Sequence, residues 1–232
     1  MVYVTSDLHG YPLEKFKNLL SQANFSDDDY CFVLGDVIDR GPESVNLLKW
    51  LMFQPNIELI IGNHEAMMLA SSFLFNTITE ETIDNLKEDD MTSFNTWMAN
   101  GGRSTVKDLS ETDPETVAQI IDYLKEAPLY DTVSVGNRDF LLVHSGLGHF
   151  ESGKQLKNYT PDELIWTRPK ISQEYFDDIT TVFGHTPTHF YGTEHRGKAL
   201  VTKTWIDIDT GAACGGAPML LRLEDMKEFY SN

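Results

Sequence analysis

The chain has 232 residues, with 36 acidic side chains against 18 basic ones, which gives a formal net charge of −18. This length is typical of one large domain, and 41% hydrophobic residues are too many for a disordered chain. The acidic balance argues against binding to nucleic acid or to an anionic membrane, because phosphate groups are held by clustered Lys and Arg. Two cysteines, no signal-peptide pattern and no apolar run of about 20 residues predict a cytoplasmic protein without a membrane span.

Short β-branched and aromatic runs alternate with helical patterns through the first sixty residues. Residues 1–5, 30–34 and 57–61 have the composition of buried strands. Apolar residues at helical spacing begin at Leu13 and again after Pro42, a residue favoured in the first helical turn. This order of strands and helices predicts parallel strands joined by right-handed crossovers, which is an α/β arrangement.

The pattern changes from about residue 66 to 130, where acidic helices and turns replace the strands. The clearest helix there begins at Asp113, a good N-cap residue that a proline follows directly. Beyond this stretch, the Gly136-Asn137 pair predicts a hairpin turn. Further strands are predicted at residues 132–135, 140–143, 181–183, 205–209 and 219–223. We therefore expect a helical insert at about 66–130 within an α/β domain.

Metal-capable side chains follow the ends of five predicted strands. The segments are Asp7-Leu8-His9-Gly10, Gly35-Asp36-Val37-Ile38-Asp39-Arg40-Gly41, Gly62-Asn63-His64-Glu65, His144-Ser145-Gly146 and Gly184-His185-Thr186. Ligand sites in open α/β sheets form at the carboxyl ends of the strands, so we expect these side chains to meet. Each segment alone has an ordinary explanation as a turn, but the five fixed residues between Gly35 and Gly41 should occur by chance only about once per million positions.

The order of these motifs resembles that of the calcineurin-like metallophosphoesterases and, within them, the PPP-type serine/threonine protein phosphatases. Four further segments are similar to the bacterial and phage branch of those phosphatases. They are Asn100-Gly101-Gly102, Ile165-Trp166-Thr167-Arg168, Phe183-Gly184-His185-Thr186-Pro187 and Ile208-Asp209-Thr210-Gly211-Ala212. The resemblance covers nearly the whole chain and is weakest in the acidic helical stretch. It implies a single α/β domain over residues 1–232, a β-sandwich of mixed sheets flanked by helices.

The resemblance also implies a binuclear metal centre. Its candidate ligands are Asp7, His9, Asp36, Asn63, His144 and His185. Asp7 and His9 would bind one ion, the last three residues would bind the other, and Asp36 would bridge the two. This mixed oxygen and nitrogen set, without a thiolate, suits two divalent ions of Mn, with Fe or Zn as alternatives, better than Ca²⁺ or Mg²⁺. Bound ions would also attract phosphate to an acidic chain.

Roles for the remaining polar residues follow from the same resemblance. Arg40 and Arg168 would bind phosphate oxygens through their forked donors. His64 resembles the family's general acid, which protonates the leaving alkoxide, and Asp39 would orient its ring and keep it cationic. Ser145 stands where relatives usually carry Ala or Gly, and we expect it to have little effect on the ligand beside it.

These residues favour a metal-dependent phosphomonoesterase that acts on phosphoserine or phosphothreonine in proteins, with phosphotyrosine or a small phosphoester as further options. The reaction would be in-line attack by a hydroxide that bridges the metals. The alternative is hydrolysis of diadenosine tetraphosphate or a related nucleotide polyphosphate, whose symmetrical hydrolases usually carry Ala at the position of Asp39. A non-catalytic scaffold should lack at least one of Asp39, Arg40 and His64, and all are present. We expect the helical insert to shape substrate access rather than chemistry.

Overall fold

Two mixed sheets and their helices make up the computed structural model, which describes residues 1–75 and 88–231. Its strands are β1 (Val2–Thr5), β2 (Tyr30–Leu34), β3 (Ile57–Ile60), β4 (Tyr130–Val135), β5 (Arg138–Val143), β6 (Ile179–Phe183), β7 (Leu200–Val201), β8 (Trp205–Asp207), β9 (Met219–Arg222) and β10 (Lys227–Tyr230). Its helices are α1 (Leu13–Gln22), α2 (Ser44–Leu51), α3 (Asn63–Ala70), α4 (Glu88–Ala99), α5 (Arg103–Ser110), α6 (Pro114–Glu126) and α7 (Pro161–Ile165).

The first sheet has the strand order β10-β9-β1-β2-β3, and the second has the order β4-β5-β6-β8-β7. Strands β1, β2 and β3 are parallel, with Val2 opposite Tyr30 and Cys31 opposite Ile57. Strands β5, β6 and β8 are also parallel, while antiparallel strands extend both sheets at their edges. The predicted α/β sandwich of mixed sheets is therefore confirmed.

Alternating side chains of the strands divide the core into layers. Because successive residues of a strand point to opposite faces, β5 sends Phe140 and Leu142 between the two sheets. Its other apolar residues, Leu141 and Val143, pack on the outer face of the second sheet. The outer face of the first sheet is covered by α1, α2 and the helices that follow α3. The two sheets are thus held together by a shared apolar layer.

The helical segment, defined here as residues 88–126, packs against the first sheet. Its residues Trp97, Leu109 and Ile120 are buried in the same core cluster as side chains from β1, β2 and β3. The helix start predicted at Asp113 is confirmed, because its carboxylate accepts the Thr116 N–H at 2.9 Å. Residues 76–87 of the predicted insert lie outside the described residues. The shared core supports our proposal that residues 1–232 form one domain.

Some elements differ from the sequence predictions. The second helix begins at Ser44 and not at Pro42, and the strand that starts at Trp205 ends at Asp207. Strands β7 and β10 were not predicted because both are short edge strands with exposed charged or polar neighbours. Among the helices of residues 1–75 and 88–231, none is long and apolar enough to cross a bilayer.

The apolar layer between the sheets should dominate stability. We expect Val182→Ala to lower the free energy of unfolding by about 2 kcal/mol, because it removes two buried methyl groups and leaves a cavity. The matched control is Val201→Ala in the same sheet, where the side chain is 60% exposed and the change should stay within about 0.5 kcal/mol. Urea denaturation of both variants tests this, and equal losses would contradict the layer's role.

Candidate active site

The ends of strands from both sheets converge on one buried polar cluster. Asp7 and His9 follow β1, Asp36 follows β2, and Asn63 follows β3 in the first sheet. The second sheet contributes His144 and His185, which follow β5 and β6. All six predicted metal ligands are buried, with at most 5% of each residue exposed. The structure therefore brings together the complete set that the motifs singled out.

Asp36 lies at the centre of this cluster. One carboxylate oxygen is 3.6 Å from His9 Nε2, and the other is 3.3 Å from His144 Nε2. Two groups of potential ligand atoms, each within 4.8 Å of one another, share this residue. The groups are His9, Asp36 and His64, and Asp36, His144 and His185. The geometry thus supports a shared position for Asp36, and it places His64, rather than the predicted ligand Asp7, in the first group.

The remaining predicted ligands join the cluster through short contacts. Asp7 Oδ1 is 3.9 Å from His9 Nε2, and Asp7 Oδ2 accepts the backbone N–H of His185 at 2.9 Å. Asn63 Oδ1 lies 2.9 Å from both His144 Nε2 and His185 Nδ1. Asn63 therefore connects the two histidines of the second sheet to the start of α3.

Hydrogen bonds to backbone carbonyls set the tautomers of two histidines. His9 Nδ1 donates to Ile38 O at 3.0 Å, and His144 Nδ1 donates to Leu34 O at 2.7 Å, because a carbonyl oxygen can only accept. Their Nε2 lone pairs consequently face the carboxylates, as they do in histidines that bind metals. A lone pair of His144 beside the Asn63 oxygen is an arrangement that a shared cation would stabilise.

Burial shifts the pKa values in the cluster toward the neutral form of each group. It raises the pKa of Asp7 well above its usual value, and the carboxylates of Asp209 and Asp36 raise it further. Burial lowers the pKa of His144 to about 3 and also lowers those of His9 and His185, so these rings are neutral at pH 7. Neutral imidazoles are ligands, and buried carboxylates require a cation to stay ionised. The residues therefore fit divalent metal ions.

The predicted catalytic residues lie beside this cluster. His64 Nδ1 is 2.5 Å from an oxygen of Asp39, and both side chains are buried. Arg40 extends its two terminal nitrogens to His9 Nε2 at 3.1 Å and to His64 Nε2 at 2.9 Å. Arg168 donates to the backbone oxygen of His185 at 3.0 Å, at the edge of the cluster. Both arginines are therefore placed to contact a phosphate there.

Several site residues adopt a backbone conformation that is unfavourable for L-amino acids. Nine non-glycine residues of the described chain have positive φ, and six of them are predicted site residues. The six are Asp7, His9, Asp36, Asp39, Arg40 and His185, with φ between 44° and 72°. Such strain persists only where the surrounding structure enforces it, and it is concentrated at functional sites. The strained backbone therefore coincides with six of the ten predicted site residues.

Glu65 is a site residue whose role was not predicted. It is fully buried, and its carboxylate accepts the backbone N–H groups of Asp36 at 2.8 Å, Val37 at 2.8 Å and Gly62 at 3.0 Å. It therefore connects the loop after β2 to the start of α3. A side chain at Gly62 would collide with Asp36, which explains the glycine. The available signal was Glu at the third helical position, as in a capping box.

Two residues of the helical segment also reach the site. Trp97 Nε1 donates to Asp39 Oδ2 at 2.8 Å, and the Thr105 hydroxyl donates to Asp39 Oδ1 at 2.6 Å. The neighbouring Asn100 and Gly101 carbonyls accept hydrogen bonds from Arg40 at 3.3 Å and 3.2 Å. The segment therefore contacts the site directly, and the expectation that it shapes substrate access rather than chemistry stays a prediction.

Ser145 has more contacts than expected. Its buried hydroxyl donates to Leu164 O at 2.8 Å and accepts the N–H of Thr167 at 3.0 Å. Both partners belong to the stretch that leads from α7 to Arg168. Ser145 therefore connects the end of β5 to the chain that carries this arginine.

The comparisons with known proteins identify the family. The family model described as calcineurin-like phosphoesterase matches residues 1–210. The chain therefore belongs to the calcineurin-like phosphoesterase family, which confirms the resemblance in the motifs. It is accordingly a phosphoric ester hydrolase, and the family implies that it uses divalent metal ions.

Relatives in this family have two kinds of name. Serine/threonine-protein phosphatase 2 of Salmonella typhimurium is 28% identical over 219 residues, which cover 93% of this chain and 89% of that protein. The symmetrical bis(5'-nucleosyl)-tetraphosphatase of Buchnera aphidicola is 36% identical over 70 residues, which cover 29% of this chain and 25% of that protein. A solved structure of a candidate diadenosine tetraphosphatase has a TM-score of 0.66 at 16% identity, over 98% of this chain and 90% of that one, and supports the fold alone.

The central position of Asp36 leads to a prediction about metal content. We expect Asp36→Asn to weaken metal binding by more than the roughly 10- to 100-fold that is typical of outer-shell partners, because the change removes a shared anionic ligand. Asp39→Asn is the matched control, since Asp39 is equally buried but contacts His64 and the helical segment instead. Calorimetric titration of both metal-free variants with Mn²⁺ measures the difference. Unchanged affinity in Asp36→Asn would refute a shared ligand.

Proposed function

We propose that this phosphoesterase is a two-metal phosphomonoesterase that hydrolyses phosphoserine and phosphothreonine in proteins. The observation that carries the proposal is the buried pair of His64 and Asp39 beside the metal-ligand cluster. An alkyl phosphate expels a strongly basic alkoxide, which needs a proton donor at this place. Similarity to a serine/threonine-protein phosphatase over 93% of the chain supports the same function.

We propose that one ion is held by Asp7 and His9, that the other is held by Asn63 and the two histidines of the second sheet, and that Asp36 contacts both. When bound, the ions would neutralise charge on the phosphoryl oxygens and activate water as the nucleophile. The donor set suits Mn²⁺, Fe or Zn, and Mn²⁺ is our first choice among them. Manganese as the native metal and a cytoplasmic location stay predictions.

The two arginines would orient the phosphate. Arg40 is an exposed residue that contacts the buried His9 and His64, so it lies on the solvent side of the cluster, from which a phosphoester would enter. Arg168, fixed through the His185 carbonyl and the Thr186 hydroxyl, would bind further phosphate oxygens from beside His185. Forked donors match two phosphate oxygens at once, which fixes the phosphorus atom for in-line displacement.

His64 is assigned as the general acid and not as a metal ligand. Histidines that bind metals also commonly donate a hydrogen bond to a carboxylate. The hydrogen bond between His64 and Asp39 alone therefore does not decide between a general acid and a metal ligand. Arg40 places the ring beside the proposed phosphate site, because the guanidinium that would bind the phosphate contacts His64 Nε2 at 2.9 Å. An arginine can only donate, so His64 Nε2 accepts in this contact and would take up a proton once Arg40 turned to the phosphate. That nitrogen would thus lie beside the leaving oxygen.

Hydrolysis of a dinucleotide polyphosphate is the second candidate function. It is supported by the 36% identity over 70 residues to a bis(5'-nucleosyl)-tetraphosphatase. A phosphate leaving group is far less basic than an alkoxide and gains little from a proton donor, so the intact pair of Asp39 and His64 favours the phosphomonoester.

A substrate panel tests the proposed function. Phosphoserine and phosphothreonine peptides, a phosphotyrosine peptide and diadenosine tetraphosphate are compared at equal concentration with Mn²⁺ present. We expect kcat/KM to be highest for the phosphoserine or phosphothreonine peptide. A preference for diadenosine tetraphosphate would overturn the proposal in favour of the second candidate.

The proton-donor role predicts dependence on the leaving group. We expect His64→Asn to slow hydrolysis of phosphoserine peptides by about 10²–10⁴-fold while p-nitrophenyl phosphate, whose leaving group needs no proton, is affected far less. The measurement is the ratio of kcat/KM for the two substrates, with metal content determined in parallel. Equal loss on both substrates would indicate charge stabilisation, and loss of an ion would show that His64 is a ligand.

A further inference from the structure

The Asp39 carboxylate is fully engaged by hydrogen bonds. Oδ2 contacts His64 Nδ1 at 2.5 Å and accepts the indole N–H of Trp97 at 2.8 Å. Oδ1 accepts the hydroxyl of Thr105 at 2.6 Å. The backbone N–H of Asp39 donates to the same Thr105 hydroxyl oxygen at 3.0 Å and to the Ser44 hydroxyl oxygen at 2.9 Å. Trp97 and Thr105 thus determine how the carboxylate is turned toward His64.

Both donors are buried within the helical segment. Trp97, on α4, and Thr105, on α5, have no exposed surface. The Trp97 ring packs against Phe75 and against the turn at Gly102, where an added side chain would collide with the indole. An indole N–H can only donate, and a buried donor without a partner costs free energy, so the Trp97 nitrogen has a strong preference for this carboxylate.

The Asp39 carboxylate can orient the His64 ring only if its own orientation is fixed. An Asp side chain rotates broadly about its last bond, and the wrong rotation would remove Oδ2 from the His64 ring. The Trp97 donor fixes Oδ2, and the Thr105 donor fixes Oδ1, so the carboxylate plane is set by two atoms outside the loop that carries Asp39. The orientation of His64 therefore depends on how α4 and α5 pack.

We propose that Trp97 and Thr105 are positioning residues for proton donation, acting through Asp39 on His64. Through these two residues, α4 and α5 would influence proton donation. This inference rests on the proposed function of His64 as the general acid. A purely structural role for the two residues would affect stability and both kinds of substrate alike, whereas a positioning role affects the substrates that need a proton.

The kinetic test uses Trp97→Phe and Thr105→Val, which remove one donor each and keep most of the side-chain volume. We expect each to lower kcat for a phosphoserine peptide by about tenfold, a typical effect of an outer-shell partner, with KM and the rate on p-nitrophenyl phosphate nearly unchanged. Thr105→Ser keeps the hydroxyl and should restore the phosphoserine rate. Ile120→Val, a buried change elsewhere in the helical segment, is the control for lost packing.

A double-mutant cycle tests whether the effect passes through His64. In a His64→Asn background, Trp97→Phe should cause no further loss on the phosphoserine peptide, because the group it orients is absent. Independent, multiplied losses would overturn the proposal. Equal losses on both substrates in the single variants, or no rescue by Thr105→Ser, would also overturn it.

An observation that does not depend on activity separates this inference from the proposed function. The measurement is the ¹H NMR spectrum of the Zn²⁺-loaded protein. In it, the proton between His64 Nδ1 and Asp39 should give a resonance downfield of the amide region. Trp97→Phe and Thr105→Val should shift it, while Thr105→Ser and Ile120→Val should not. A shifted resonance in an enzyme that prefers dinucleotides would refute the proposed function and leave the positioning role intact. An unmoved resonance would refute the positioning role itself.

Discussion

The buried carboxylate of Asp36 is the group on which the arrangement of the site depends. One oxygen faces the rings of His9 and His64, and the other faces His144 and the His64 backbone N–H. Burial raises the pKa of Asp36 well above its usual value, and the nearby Glu65 charge raises it further. An anion in such a place is unfavourable without a cation, so the geometry suits divalent ions.

Two hydrogen bonds connect the sheets at this point. His144, after β5, donates to the carbonyl of Leu34 at the end of β2, and the backbone of His185, after β6, donates to Asp7 after β1. Each bond joins a predicted ligand of the second sheet to the first sheet. The apolar layer between the sheets therefore fixes the distance between the predicted ligands that the two sheets contribute.

The motifs at the strand ends could be predicted because their residues are neighbours in the sequence. A strand that runs into Asp-x-His or Gly-Asp delivers those side chains within a few residues, so the candidate ligands and the parallel strand order followed from the sequence. The partners of Asp39 could not be predicted, since Trp97 and Thr105 lie 58 and 66 residues further along the chain. No local pattern encodes that contact. Glu65 could be predicted in part. Its position in the first turn of a helix was visible in the sequence, but its hydrogen bonds to the backbone of the Asp36 loop were not.

The account is tested most directly by locating the metal ions. Crystals grown with Mn²⁺ should give two anomalous difference peaks at the manganese edge, on opposite sides of the Asp36 carboxylate, with neither ion bonded to His64. A single peak, a peak away from Asp36, or an ion held by the His64 ring would contradict the two-metal arrangement and the role of His64 as the acid.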